Sequence, residues 1–234
     1  MGLDGMESTT PAAAAAVFGD QVKRAERFVE LLTQHGVERG LIGPREVDRL
    51  WDRHVLNSAV IGEYIPHGAR VVDVGSGAGL PGVPLAIARP DLDIVLLEPM
   101  ARRVDWLSEV AETLEIHLEV VRGRAEEKSI REHLGLADVV TARAVAPLAR
   151  LATWCLPLVR TSGSLVALKG ASAAEEIDRD RVALRKAGGG EPKLAECGAG
   201  VLETPTTVVV IERVERPKPE RSRRRAGARS RGKD

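Results

Sequence analysis

The segment Val71-Val72-Asp73-Val74-Gly75-Ser76-Gly77-Ala78-Gly79 ends an apolar run in a carboxylate and follows it with three alternating glycines. Such a turn lets a nucleotide-type ligand lie directly on backbone, because no side chain stands between them. Residues Gly77 to Gly82 also read G-x-G-x-x-G, and Glu98 closes the next apolar run, where an acid can hold ribose hydroxyls. Two ligands compete for this pattern. A dinucleotide needs pyrophosphate donors from a helix N-terminus, yet Pro81 removes one N–H from that turn and Asp73 sets a negative charge beside it. S-adenosylmethionine has no phosphate, and its ammonium and sulfonium suit a carboxylate and loop carbonyls. Asp73, Gly75, Gly77, Gly79 and Glu98 are therefore expected to bind this methyl donor, and an NAD-dependent oxidoreductase is the alternative.

Elements of alternating type must position these residues. From Arg70 onward, short apolar runs at 70–74, 93–98, 118–122, 138–141, 163–168, 193–197 and 206–213 read as strands. Helical spacing at 81–89, 101–114, 126–133, 147–159 and 173–188 falls between them, which is the βαβ pattern of a Rossmann-like, mostly parallel sheet. The last two strands have no helix between them and are expected to form an antiparallel hairpin at one edge. Upstream, one helix is expected from about Ala13 to His35, stopped by Gly36, and a second helical block follows Pro44. The expected organisation is a disordered N-terminus at 1–12, an N-terminal helical cap at 13–66, an α/β domain at 67–215 and a disordered tail at 216–234.

Composition narrows the class. The chain has 234 residues, 44% of them hydrophobic, enough for one full-sized core. Its zero formal charge is uneven: nine of the 34 basic and two of the 34 acidic residues lie in 216–234, leaving 25 basic against 32 acidic in the rest. The basic tail, with Arg221, Arg223, Arg224 and Arg225 at its centre, suits a polyanionic partner. The two cysteines, Cys155 and Cys197, form no CxxC pair, so neither a disulfide framework nor a zinc site is indicated, and a reducing cytoplasm fits. The alanine run at 12–16 follows Asp4 and Glu7 rather than a basic segment and does not read as a signal peptide. No stretch approaches the ~18 apolar residues of a membrane span.

The string DVGSGAGLPGVPLAIARPDLDIVLLEPMARRVDWL, with VVRGRAEE at 120–127, TARAVAPL at 141–148 and LVALKG at 165–170, closely resembles the RsmG (GidB) small-subunit ribosomal RNA methyltransferases of bacteria. The resemblance spans about residues 20–213. It implies a class I S-adenosylmethionine-dependent methyltransferase fold and methyl transfer to N7 of one guanine in the decoding-region loop of 16S rRNA. It also implies that Gly75, Leu80, Ala125, Glu126 and Arg143 contact the methyl donor. Two segments depart from the family pattern: Asn57-Ser58 stands where Asp-Ser is usual, and GLIGPREV at 40–47 where many members have an Asn-Leu-Thr segment.

Guanine N7 suits what the chain lacks. The segment after the fourth strand has no Asn/Asp-Pro-Pro-aromatic string of the amino-nitrogen methylases, and both cysteines sit in apolar segments where a nucleophile is not expected. N7 attacks with a ring lone pair and no proton to remove, so alignment and electrostatics suffice. Arg143 is the expected positioning residue, with no general base. Lys169, Arg53, His54 and the tail arginines are candidate RNA contacts, although packing on an otherwise apolar helix face is the more ordinary role for His54. Trp51, Trp106 and Trp154 are read as core residues. Aromatic residues make up only 3% of the chain, so no stacking platform is evident and a folded RNA or the small ribosomal subunit is the expected partner. The protein is expected to be a monomer without metal. A small-molecule methyltransferase and a non-catalytic donor-binding assembly factor stand as further alternatives.

Overall fold

A computed structural model describes residues 10–143 and 146–215. Seven strands form one sheet: β1 (Arg70–Val74), β2 (Asp93–Glu98), β3 (Glu119–Arg122), β4 (Ala137–Arg143), β5 (Val159–Leu168), β6 (Lys193–Cys197) and β7 (Thr206–Glu212). Their order is β3-β2-β1-β4-β5-β7-β6. The first five strands are parallel, and β7 runs antiparallel between β5 and β6. The antiparallel pair thus sits at one edge, as expected, with β7 inserted inside β6. The strand order reverses between β1 and β4, where ligands of open α/β sheets lie beyond the carboxyl ends of the strands.

Helices cover both faces. The cap comprises α1 (Ala12–Phe18), α2 (Val22–His35), a 3-10 segment Pro44–Arg49, a π-helical turn Leu50–Val55, α3 (Leu56–Ala59) and a second 3-10 segment Val60–Tyr64. Between the strands lie α4 (Gly82–Ala88), α5 (Ala101–Thr113), α6 (Lys128–Leu134), α7 (Leu148–Cys155) and α8 (Ala173–Ala187). One core joins cap residues Phe28, Leu32, Trp51, Leu56 and Ile61 to Val71, Ile94 and Trp106. The opposite face packs Val72, Val95, Val140 and Leu165 under Leu151, Leu156 and Leu184. Cap and sheet therefore share a core, and the cap cannot lift away without opening it.

Three local readings differ from the expected ones. The single helix over 13–35 is broken at Gly19, whose φ of +50° ends α1 before a short 3-10 turn leads into α2. The helix expected to reach residue 159 ends at Cys155, because Pro157 cannot continue it; Val159 already belongs to β5 and pairs with Ala137. The block after Pro44 is not one α-helix but a sequence of 3-10, π and α turns. No helix among the described residues is long and apolar enough to cross a membrane.

Candidate active site

A cavity of about 650 Å3 opens at the carboxyl ends of β1, β2 and β4. Its walls include Gly75, Ser76, Gly77, Ala78 and Leu80 from the glycine loop, Glu98 at the end of β2 and Met100 just beyond it. Gly123 to Glu126 after β3, Arg143 at the end of β4, and Leu41, Glu46 and His54 of the cap also border it.

The loop's shape follows from its sequence. Gly75, Gly77 and Gly79 all take left-handed φ values, of +74°, +57° and +99°, which ordinary side chains resist. Gly79 is also enclosed, since a Cβ there would meet Val83 at 2.7 Å. These turns point the loop's donors inward. The N–H groups of Gly75 and Ser76 bond Leu97 O, those of Gly79 and Leu80 bond Ser76 O, and Val83 N–H bonds Gly79 O. Gly77 N–H donates to Glu98 Oε2 at 3.0 Å and Gly82 N–H to Asp73 Oδ2 at 3.0 Å. With Pro81 lacking an N–H, the start of α4 offers no nest of free donors for a pyrophosphate.

Glu98 is 1% exposed on its own account, yet its carboxylate borders the cavity. Oε1 accepts Met100 N–H at 3.0 Å and Oε2 accepts Gly77 N–H, which leaves further lone pairs on both oxygens for two hydroxyl donors. Arg103 stands 3.9 Å away and also lines the cavity. A ribose diol fits this acid, and a ligand without phosphate fits the loop, so the residues present match S-adenosylmethionine. Ala125 and Glu126 border the cavity from the β3 side.

Asp73 departs from its expected place beside the donor. It is fully buried under the loop, it does not border the cavity, and one of its oxygens, Oδ1, has no protein partner. Burial raises its pKa to about 7, with the Gly82 N–H opposing that rise. Its position follows from strand alternation: Asp73 faces the same side of β1 as Val71, inside the sheet-and-cap core, whereas the cavity begins at Val74. A Cβ at Gly82 would meet Leu96 at 2.2 Å and Asp73 Oδ2 at 2.8 Å, so Asp73 packs closely against the turn that starts α4.

Arg143 and His54 come together although 89 positions separate them. Arg143 Nη1 donates to His54 O and Ser58 Oγ, each at 3.2 Å; Nη2 donates to Arg53 O at 3.0 Å and meets His54 Nδ1 at 2.5 Å. The guanidinium thus clamps β4 to the π-helical turn of the cap, whose irregular pitch turns the Arg53 and His54 carbonyls toward it. Burial lowers the Arg143 pKa to about 10. Four of its five N–H groups are held by the cap, so the positioning expected of Arg143 is exerted here on the cap backbone and His54. Arg53 presents an exposed side chain outside the cavity, 3.6 Å from Glu46. Lys169 borders a second cavity of about 410 Å3 and donates to Glu176 Oε2 at 2.7 Å and to Ala146 O. That ion pair is largely shielded, so Lys169 is engaged within the protein rather than standing free at the strand end. Arg221, Arg223, Arg224 and Arg225 lie outside the described residues.

Trp106 and Trp51 are core residues, but Trp154 borders the donor cavity. Glu46, Ser58, Arg103 and Trp154 were not legible as site residues. Glu46 had a signal, since it lies eight positions before His54, about two helical turns along one face. Cys155 and Cys197 are buried, and burial raises both thiol pKa values, that of Cys197 to about 12.

A family profile described as rRNA small subunit methyltransferase G (GidB) matches residues 21–204. Among curated relatives, the ribosomal RNA small subunit methyltransferase G of Rhodococcus jostii is 58% identical over 92% of this chain and 92% of its own length. The protein of the same description from Corynebacterium efficiens is 57% identical over 88% and 89%, and that from Mycobacterium marinum 54% identical over 92% and 95%. Two solved structures share the fold at low identity. The CurJ carbon methyltransferase is 16% identical with a TM-score of 0.51, covering 86% of this chain and 68% of that one. An O-methyltransferase family protein from Burkholderia thailandensis is 14% identical with a TM-score of 0.50, covering 87% and 63%. The family match spans most of the cap and the sheet and the relatives align over nearly their whole length, so the chain belongs to the rRNA small subunit methyltransferase G (GidB) family.

Proposed function

We propose that this chain transfers the methyl group of S-adenosylmethionine to N7 of a guanine in the decoding-region loop of 16S rRNA, acting in the cytoplasm as a monomer on that RNA or on the small ribosomal subunit. The observation that carries this reading is a glycine loop whose N–H groups turn inward around a cavity bordered by Glu98. Such a site suits a nucleoside that brings a cation and no phosphate. Bound there, the donor supplies an electrophilic methyl group on sulfur.

The chain's own residues then have limited work. Glu98 holds the ribose hydroxyls, and Ala125 and Glu126 meet the adenine edge. Arg143 keeps the cap seated over the opening. The acids and bases beside Arg143 are already engaged: both His54 nitrogens have partners, and Glu46 accepts from His54. Guanine N7 matches this arrangement, since its attack releases no proton and calls for alignment alone. Lys169, Arg53 and the basic tail are the side chains proposed to approach RNA phosphates, Lys169 after exchanging its Glu176 partner.

The test pairs two measurements. Calorimetry should show S-adenosylhomocysteine binding and NAD not binding. The single-turnover rate on small-subunit RNA should be flat from about pH 7 to pH 9, because no essential group titrates there. Tighter binding of NAD, or a rate rising tenfold per pH unit across that range, would overturn the reading.

A further inference from the structure

We propose that His54 is a positioning residue: as a neutral imidazole with its proton on Nε2, it joins Glu46 to Arg143 and so fixes the arginine that seats the cap at the mouth of the cavity. This deepens the reading of the cavity as the methyl-transfer site and concerns a residue that itself moves no methyl group.

The tautomer is dictated by the partners. An arginine N–H can only donate, and Arg143 Nη2 lies 2.5 Å from His54 Nδ1, so Nδ1 must be the bare nitrogen. The proton therefore sits on Nε2 and is donated to Glu46 Oε2 at 2.7 Å. Ser58 Oγ donates to His54 O at 2.5 Å and Arg143 Nη1 to the same oxygen at 3.2 Å, so backbone and ring are held together. Every link runs between separate elements: Glu46 on the 3-10 segment, His54 on the π-helical turn, Arg143 at the end of β4. A second proton on His54 would put an N–H against the Arg143 N–H and two positive charges side by side, breaking this chain at its centre.

Charges around the ring favour the neutral form. Burial lowers the His54 pKa first, the Arg143 guanidinium lowers it further, and Glu46 opposes both, with Arg53 adding to the lowering. Arg49 acts on Glu46, and Asp73 lies behind Arg143. The link is therefore intact at neutral pH and opens only on acidification below the ordinary histidine range, with loss of cap seating as the consequence.

The asparagine and glutamine variants separate the two bonds. In His54→Asn the side-chain oxygen takes the place of Nδ1 and still accepts from Arg143; in His54→Gln the amide NH2 takes the place of Nε2 and reaches only Glu46. A long-range 1H–15N spectrum of the full chain should show His54 as the Nε2–H tautomer at pH 7, titrating below a free histidine. An Nδ1–H tautomer, or an unshifted titration, overturns the proposal whether or not the protein methylates RNA. The single-turnover rate at pH 7.5 should fall at least tenfold more for His54→Gln and His54→Ala than for His54→Asn. The wild-type rate should decline on acidification, and His54→Asn should lack that decline. Equal losses in all three variants, with Tm values matched to within a degree or two, would leave His54 a packing residue and contradict the proposal.

Discussion

At the scale of single residues, two acids that look alike in the sequence do different work. Glu98 borders the cavity with both oxygens on backbone N–H groups, so Glu98→Gln replaces one acceptor by a donor that faces Gly77 or Met100. Hydrogen bonds to a charged group contribute about 1.5–3 kcal/mol, and calorimetry should find S-adenosylhomocysteine affinity reduced at least tenfold. Asp73 is buried away from the cavity, and its carboxyl, raised to about 7, keeps its proton in the folded chain at pH values where an unfolded aspartate has lost it. Its contribution to stability is full below the ordinary aspartate pKa and is lost as pH rises through about 7. Asp73→Asn keeps an acceptor for Gly82 N–H and removes that dependence. Thermal melts between pH 5 and pH 8 should show a smaller fall in Tm for the variant, which should be the more stable protein at pH 8; parallel curves would refute this. The sequence made the loop and Glu98 legible because glycine spacing and strand-end acids are local signals. It did not separate Asp73 from a ligand contact, because facing inward or outward at the last strand residues depends on where the strand stops.

Among elements, the coupling of cap to sheet decides whether the site is assembled. Trp106 of α5 is fully buried and donates from Nε1 to Ala78 O at 3.1 Å, tying the helix to the glycine loop. Trp106→Ala should lower stability by about 3–5 kcal/mol and weaken donor binding with it, as read by denaturant melts and calorimetry. On the cap side, Arg143 bridges by four N–H groups in a planar fork. Arg143→Lys offers a point charge that cannot span those acceptors, so the single-turnover rate should fall by on the order of 10² and the Tm should fall with it, because buried cap acceptors are left unpaired. Retention of the wild-type rate would show that the fork is dispensable. Strand positions were legible to within a residue or two, except that β5 begins four residues earlier than its apolar core suggests. The helical block after Pro44 was also legible. Its π-helical turn was not, because the carbonyls it turns outward are satisfied by Arg143 from a distant strand, and no local pattern records such a partner.

For the whole molecule, charge is distributed so that an acidic body carries a basic segment at 216–234. If that segment meets phosphates, its deletion should weaken RNA binding and reduce the slope of log affinity against log salt by ~0.7 for each lost contact on a single strand, with S-adenosylhomocysteine affinity unchanged. An unchanged slope would assign recognition to the body alone. The central claim is the reaction itself, and product identity tests it most directly. Full-length protein, labelled S-adenosylmethionine and small ribosomal subunits from cells lacking this protein should yield label in RNA that digests to 7-methylguanosine, in one fragment of the decoding region. Label on another base or another guanine position, or no transfer to either subunits or naked 16S rRNA, would contradict the account.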